Sequence, residues 1–562
     1  MKKVLVINVE ERDYFEEKVE LHGAVSIGIY YHLKYKSYLT DVFDKNNIVV
    51  FSAGPMVGRL PGFSRGFAIF RSPLHGNLHI SSAGAIGEYI KKSGYDALVI
   101  TGKSENPISI LIYEEKVKFL EKELLISTCS LEKEIYKEYK KLFNTRNFRV
   151  LVTGIGSQYS YFGTVVSSKE EGKIGKVGSI FGRGGLGTVL YNSHKVTAIA
   201  IGGERSFTFS PEYNKLLKEI IESTKKYRDF GTFKANFPHL RDKSILFNWN
   251  IFRLNKEKRE EYYKKYIEGI LLKGYIFKSD TCGEKCVASC KKIEDIKLDY
   301  EPVASLGPLL GIFKRDLVKK LVCLADSLGM DSIYLGNVLA SLMEAIEKEY
   351  IDASWLNIKE KPILDPEKYD KDYSDLNYKV AISILDMVKN KELFLTNIRE
   401  LSKTFNIKDL AVYVPYGKYN DMIPNMYWTL GLVLPVLVHG KYYSDYHSIL
   451  KDPVEYSKIC FDRTVKEFII DNLGLCRFHR GWVEPKLNEL IPSEILNESM
   501  LYLYKLYKYR KETGIEPEFF ESKKAIVIYE RFIEENGGEW DLKEYWNIFK
   551  KEYYNKMEEL RY

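Results

Sequence analysis

The sequence predicts an α+β protein, β-rich at its N-terminal end and helical beyond. Three observations carry this. Through about residue 205 the apolar runs are short, rich in β-branched residues and closed by Gly or Pro. Beyond that point apolar residues recur at three- and four-residue steps over long segments, which is the period of amphipathic helices. The chain of 562 residues exceeds what one core supports, so two to four domains are expected.

The strands are read in order from "VLVINV", "NIVVFSAG", "FAIFRS", "ALVITG", "ISILIY", "FRVLVTGIG" and "VTAIAIGG". Helical patches lie between them, at "GEYIKKSG" and around residues 130–143, and glycine is dense in "GPMVGRLPG" and "GRGGLG". The helical part opens with "PEYNKLLKEIIESTKKYRDF" and continues through "RDLVKKLVCLADSLG", "DSIYLGNVLASLMEAIEKEY" and "LNYKVAISILDMVKNKELFLTNIRELSKTF". Residues 490–562 are helical in pattern and rich in charge. No internal repeat is evident, although one short pattern occurs twice, as "DSLGMD" (Asp326–Asp331) and "DNLGLC" (Asp471–Cys476).

Composition narrows the function. The chain is 45% hydrophobic and 29% charged, which is ample for packed cores. Its net charge of +7 is spread over interleaved Lys and Glu, so these read as solvated faces and no nucleic-acid partner is expected. The longest uncharged run, Met422–Val438, is interrupted by Pro424, Asn425 and Pro435 and falls short of a spanning helix, so no membrane association is expected. The start, "MKKVLVINVEERDYFEE", reads as a strand followed by acids rather than a leader. Seven cysteines, three of them clustered, argue against a disulfide framework and for a reducing, cytoplasmic setting with a metal centre.

The cluster is "TCGEKCVASC", with Cys282, Cys286 and Cys290 at a spacing of four. Three thiolates this close can share one soft metal centre. A tetrahedral zinc site or a [4Fe–4S] cluster fits, and either needs a fourth ligand. Cys129, Cys323, Cys460 and Cys476 are the candidates, and Cys476 is the one that ends a motif of its own. In that twin motif each Gly allows a left-handed helix end, and the flanking Asp residues offer acceptors to a ligand with several N–H donors. Two ordinary helix caps would give the same pattern. "GRGGLG" alone reads as a tight β turn and lacks the spacing of a dinucleotide fingerprint.

Seven ordered segments together carry a resemblance. "GPMVGRLPGFSRGFAIFRSPLHG", "GYDALVITGKSENP", "GRGGLGTVLYNSHKVTAIAIGG", "TCGEKCVASC", "YEPVASLGPLLGI", "DSLGMD" and "DNLGLC" resemble the motifs of the tungsten-containing aldehyde:ferredoxin oxidoreductase family over about residues 1–480. The "TCGExC" gap and "IVVFSAGPMVG…FRSPLHG" are most similar to the members that act on glyceraldehyde 3-phosphate. The resemblance implies tungsten, or molybdenum, held by two pterins beside one [4Fe–4S] cluster, with ferredoxin as electron acceptor. It also implies a β-rich cofactor base followed by two mainly helical domains, here drawn at 1–205, 206–400 and 401–562.

By the same resemblance Cys282, Cys286, Cys290 and Cys476 would bind the cluster. Asp326, Met330 and Asp331 match one pterin motif, and Asp471, Leu475 and Cys476 the other. Arg65 matches the family's pterin-contacting Arg, while Ser82 and Gly84 stand where an Asn-x-Gly is usual. Ser179, Ile180, Gly182 and Arg183 match the Gly-rich stretch. Arg and Gly-rich backbone N–H groups suit the phosphates of a pterin cofactor. Glu301 matches the active-site Glu. His439 and Lys441 match the family's His-x-Lys less closely, because apolar "GLVLPVLV" replaces its Gly-rich approach, and His447 and His479 compete for the role. Lys320 and Cys323 stand where some members carry Glu and His for an inter-subunit metal, so no such metal is expected and the chain is a monomer or weak homodimer.

Overall fold

The computed structural model describes residues 1–168, 178–283, 286–356, 358–421 and 450–561. Twelve strands in the N-terminal part form two six-stranded sheets. The first contains β1 (Lys2–Asn8), β2 (Asp13–Val19), β3 (Val49–Ala53), β4 (Gly66–Arg71), β5 (Leu78–Ala83) and β6 (Ala97–Thr101), in the order β2-β1-β6-β3-β4-β5. The second contains β7 (Ile108–Tyr113), β8 (Lys116–Glu121), β9 (Phe148–Thr153), β10 (Val165–Ser167), β11 (Ser179–Phe181) and β12 (Val196–Gly202), in the order β8-β7-β12-β9-β10-β11.

These two orders are the same order. In each sheet the first and sixth strands pair parallel and every other pair is antiparallel. Helix α2 (Ile86–Lys92) follows β5, and α4 (Leu186–His194) follows β11; α1 (Ala24–Lys34) and α3 (Thr128–Phe143) lie earlier in the respective halves. The residues before α2 and α4, Ala85 and Gly185, are both left-handed, at φ +64° and +84°. Gly87 N donates to Ser64 O at 3.1 Å, and Gly187 N to Gly163 O at 2.9 Å. The N-terminal domain is therefore an internal duplication, which corrects the expectation of no repeat. Gly84, Gly87, Ser93 and Gly102 recur a hundred residues on as Gly184, Gly187, Ser193 and Gly202, too few identities in a row to stand out.

The outer edge strands β2 and β8 carry charge in alternation, "DYFEEKV" and "KVKFLE", which discourages further pairing. The inner edges, β5 and β11, lie against one another, so the two sheets meet at a seam. The central strands are buried on both faces and read as largely apolar runs broken only by single Ser or Thr residues.

Helical domains follow, as the periodicity predicted. Helix α5 (Glu212–Leu240) breaks at Gly231 (φ +61°). A Cβ there would lie 3.1 Å from the Cys290 carbonyl and collide with Lys292, so this glycine lets the helix pass the cysteine loop. Next come α6 (Tyr300–Leu306), α7 (Arg315–Leu328), α8 (Ser332–Glu347) and α9 (Pro453–Leu473). Both copies of the recurring pattern end a helix in the same way. After α7, Met330 N bonds Ala325 O at 2.9 Å and Gly329 N bonds Asp326 O at 3.1 Å. After α9, Leu475 N bonds Ile470 O at 3.2 Å and Gly474 N bonds Asp471 O at 3.0 Å. Both are Schellman caps, with Gly329 and Gly474 at φ +67° and +89°. No described helix is long and apolar enough to cross a membrane.

Candidate cofactor cradle and cysteine cluster

The two capped helix ends dock on equivalent places of the duplicated sheets. Leu475 forms a bridge to Phe63, and Cys476 N donates to Gly62 O at 2.8 Å. Met330 forms a bridge to Gly163, and Asp331 N donates to Phe162 O at 2.9 Å. Gly54 and Gly154, at the ends of β3 and β9, make the approach possible. A Cβ on Gly54 would collide with the Leu473 carbonyl, and one on Gly154 with Leu328 O. Two helix C-termini thus reach the seam region, each presenting the negative end of its dipole to N–H-rich or cationic groups.

The cysteine loop lies on the same seam. A Cβ on Gly84 would stand 2.7 Å from the Cys282 sulfur and 3.7 Å from Ser179 Oγ. Burial chiefly, with the charge of Cys476 among the contributions that add to it, pushes the Cys282 thiol up, the Cys286 thiol up to about 12 and the Cys290 thiol well up. The three loop cysteines and Cys476 therefore share one field. Buried thiols of this kind ionise only beside a compensating cation, as metal binding provides. Four sulfurs around a tetrahedral zinc would stand roughly 4 Å apart, given Zn–S bonds near 2.3 Å. Among the described residues no three His, Cys, Asp or Glu side chains converge on a single-ion site. The other candidates for a fourth thiolate lie elsewhere. Cys323 is pushed up to about 11, with Cys129 among the charges that raise it, and Cys460 is buried within α9.

Sequence comparison bears directly on this arrangement. The family model for the N-terminal domain of aldehyde ferredoxin oxidoreductase matches residues 4–203, and that for its domains 2 and 3 matches residues 209–372. The chain belongs to the aldehyde ferredoxin oxidoreductase family. An uncharacterised protein of Methanocaldococcus jannaschii is 31% identical over 100% of this chain and 99% of its own. Glyceraldehyde-3-phosphate:ferredoxin oxidoreductase of Pyrococcus furiosus is 30% identical over 90% of this chain and 89% of its own. The tungsten-containing aldehyde ferredoxin oxidoreductase of the same organism is 24% identical over 84% of this chain and 79% of its own. Among solved structures, the active-site complex of benzoyl-coenzyme A reductase shares the fold, with a TM-score of 0.62 at 12% identity, covering 99% of this chain and 98% of that one.

The residues at the seam fit a tungstopterin group of the kind this family's tungsten-containing members carry. Arg65 Nε is buried without a hydrogen-bond partner, while Nη1 of the same guanidinium bonds Ser82 Oγ. A buried cationic donor left open suits an anionic ligand. Gly182 faces space, since a Cβ there would meet nothing nearer than Ile180 Cγ2 at 3.7 Å, whereas Gly184 and Gly185 beside it are hemmed in by His79 and Tyr161. Arg183 Nε pairs with Asp331 Oδ2 at 2.8 Å. Asp331 Oδ1 in turn caps α8, accepting from Ile333 N at 3.0 Å and Tyr334 N at 3.2 Å. Asp331 thus ties the Gly-rich turn to the first capped helix end. Burial raises Asp331, against the pull of Arg183. Asp471, in the second copy, is likewise buried.

Glu301 sits in the first turn of α6, two residues after Asp299. Burial chiefly, with the charge of Asp299 adding, raises its pKa to about 7 against the opposing pull of Lys297 and Arg477. The residue is half-buried, so protein crowds its carboxyl while part of it stays open to solvent. Asp299 is itself held, 2.8 Å from Lys297 Nζ and 3.4 Å from the Thr232 hydroxyl. Burial brings Asp326 up to about 6, with Lys297 opposing.

The structure brings Gly84, Ser179, Cys282, Cys286, Cys290 and Cys476 to one seam and pairs Arg65 with Ser82 and Arg183 with Asp331. His439, Lys441 and His447 lie outside the described residues. His479 is engaged elsewhere: its Nε2 is 3.6 Å from Cys286 Sγ and its Nδ1 3.1 Å from Trp482 Nε1. Lys297 and Asp299 escaped the sequence reading because nothing in "DIKLDYE" marks an ion pair. His479 was named there for a different role.

Proposed function

We propose that the protein oxidises glyceraldehyde 3-phosphate to 3-phosphoglycerate and passes the electrons one at a time through a [4Fe–4S] cluster to ferredoxin. The observation that carries this reading is the gathering of four partly buried cysteines, Cys282, Cys286, Cys290 and Cys476, at the seam beside the second capped helix end. Similarity to the Pyrococcus furiosus enzyme along most of the chain supports the substrate.

In this reading Cys282, Cys286, Cys290 and Cys476 hold the cluster. Arg65, Ser82, Gly84, Ser179, Ile180, Gly182 and Arg183 from the sheets, with Asp326, Met330, Asp331, Asp471 and Leu475 from the helix ends, hold the pterins. The bound group supplies a two-electron centre of tungsten or molybdenum, with single-electron exit through the cluster. Glu301, poised near neutrality, takes the proton of the water or aldehyde hydrate whose oxygen enters the acid. His439 hydrogen-bonds the substrate oxygen, with Lys441 beside it. Arg477, partly exposed, paired with Glu467 at 3.3 Å and close enough to lower Glu301's pKa, meets the substrate phosphate. Net, one aldehyde and one water give one carboxylic acid, two protons and two electrons. The protein works in the cytoplasm as a monomer or weak homodimer.

A viologen-linked assay on anaerobically purified protein tests the substrate. Turnover of glyceraldehyde 3-phosphate well above that of unphosphorylated aldehydes is expected. The reverse preference would keep the family and overturn the substrate.

A further inference from the structure

His479 lies one short turn after Cys476, with its backbone N–H donating to Cys476 O at 2.9 Å. Its ring is fully buried. It fills the space left by Gly62, where any Cβ would strike the imidazole, and Gly62 O in turn receives the Cys476 N–H. Trp482 closes the other side, edge-on at 84° with ring centroids 6.3 Å apart. The ring is therefore held between the Gly62 backbone and the Trp482 indole, whose N–H meets its Nδ1 edge.

That orientation decides which nitrogen carries the proton. The indole Nε1–H of Trp482 can only donate. It stands 3.1 Å from His479 Nδ1, so Nδ1 is the acceptor and carries no hydrogen. The proton of the neutral imidazole is on Nε2, which points at Cys286 Sγ 3.6 Å away. The backbone N–H groups of Ala288 and Ser289 face the same sulfur. Cys286 thus receives a side-chain donor in addition to two from its own loop.

We propose that His479, oriented by Trp482, is a positioning residue that sets the reduction potential of the metal cluster by donating an N–H···S hydrogen bond to Cys286. An N–H aimed at a ligand sulfur stabilises the electron-richer, reduced state, and hydrogen bonds to sulfur are a main lever on cluster potentials. The inference rests on the reading that the four cysteines hold an iron–sulfur cluster. Loss of the bond therefore moves the couple to more negative potential. A fivefold change in the reduced-to-oxidised ratio at fixed potential corresponds to about 40 mV, at 59 mV per decade for a one-electron couple.

The test is redox titration of the cluster, followed by electron paramagnetic resonance on holoenzyme, with iron counted in the same samples. His479→Phe is expected to keep about four iron per chain and titrate at least fivefold harder to reduce. His479→Gln, whose amide can still donate, is expected to recover much of the shift. Trp482→Phe, which frees the tautomer without touching the imidazole, is expected to move the potential the same way by less, and it stands in where the Phe variant fails to fold. In unaltered protein labelled with ¹⁵N-histidine, the reduced cluster is expected to show a weak nitrogen coupling. An intact cluster with unchanged potential in His479→Phe and no nitrogen coupling would overturn the proposal and leave the cluster assignment standing. Unaltered protein without iron would overturn the cluster assignment itself.

Discussion

On the proposed mechanism, the acid limb of the pH–rate profile should report the ionisation of Glu301. Its carboxyl is raised to about 7 chiefly by burial, with Asp299 adding to the rise. A general base acts only when ionised, so kcat/KM should climb about tenfold per pH unit below that value and level off above it. At pH 6 about one tenth of the plateau is expected, and at pH 5 about one hundredth. Glu301→Gln should lose about 10²–10⁴-fold and flatten the limb. The substrate phosphate itself ionises near pH 6, so the control is Asp299→Asn. That change removes a raising charge and frees Lys297 to lower the pKa further, so the limb should move to lower pH, a shift no substrate ionisation produces. The measurement is initial rate against pH from 5 to 9 with viologen as acceptor. A limb that stays in place in Asp299→Asn, or survives in Glu301→Gln, would refute the reasoning. The same shift acts on stability. A carboxyl raised in the folded state is better protonated there than in the unfolded chain, so its contribution is lost as pH rises from about 4.5 to about 7. Glu301→Gln should therefore gain thermal stability relative to the unaltered protein across that window.

Other outcomes follow from the packing and the charges. Gly54→Ala and Gly154→Ala each place a methyl against helix-end backbone that cannot yield, and should cost about 1–3 kcal/mol or more, read as a lower thermal midpoint. Gly182→Ala, with 3.7 Å of clearance, should leave the midpoint unchanged in cofactor-free protein but reduce tungsten retained after purification. Cys286→Ser and Cys476→Ser should each drop iron below four per chain, with Cys129→Ser and Cys323→Ser leaving it intact. Arg477→Gln should raise KM about 10- to 100-fold for glyceraldehyde 3-phosphate, the worth of a charge-assisted hydrogen bond, and barely for glyceraldehyde.

Much of the fold was legible because its periods are clean. Apolar runs in the strands and three- and four-residue steps in the helices gave the α+β class, and the three clustered cysteines marked the loop that the structure sets against Gly84. The duplication was not legible, because it is held by backbone conformation rather than side-chain identity: Ala85 does the work of Gly185, and Ser64 that of Gly163. The recurring Asp-x-x-Gly pattern was seen, but its meaning lies in Gly54 and Gly154, which sit far away in sequence and matter for the side chains they lack. Asp331 matched a pterin motif in the sequence, but the contacts its oxygens make with the start of α8 and with Arg183 could not be read there. The setting of His479 could not be read because it depends on Trp482 and Gly62 both packing against its ring.

Elemental analysis of protein purified without oxygen, from cells supplied with both tungstate and molybdate, tests the central claim most directly. About four iron atoms and one tungsten or molybdenum per chain are expected, with iron lost in Cys476→Ser. Zinc alone, at one per chain and unaffected by that substitution, would mean the cysteine loop holds a structural ion and would contradict the account.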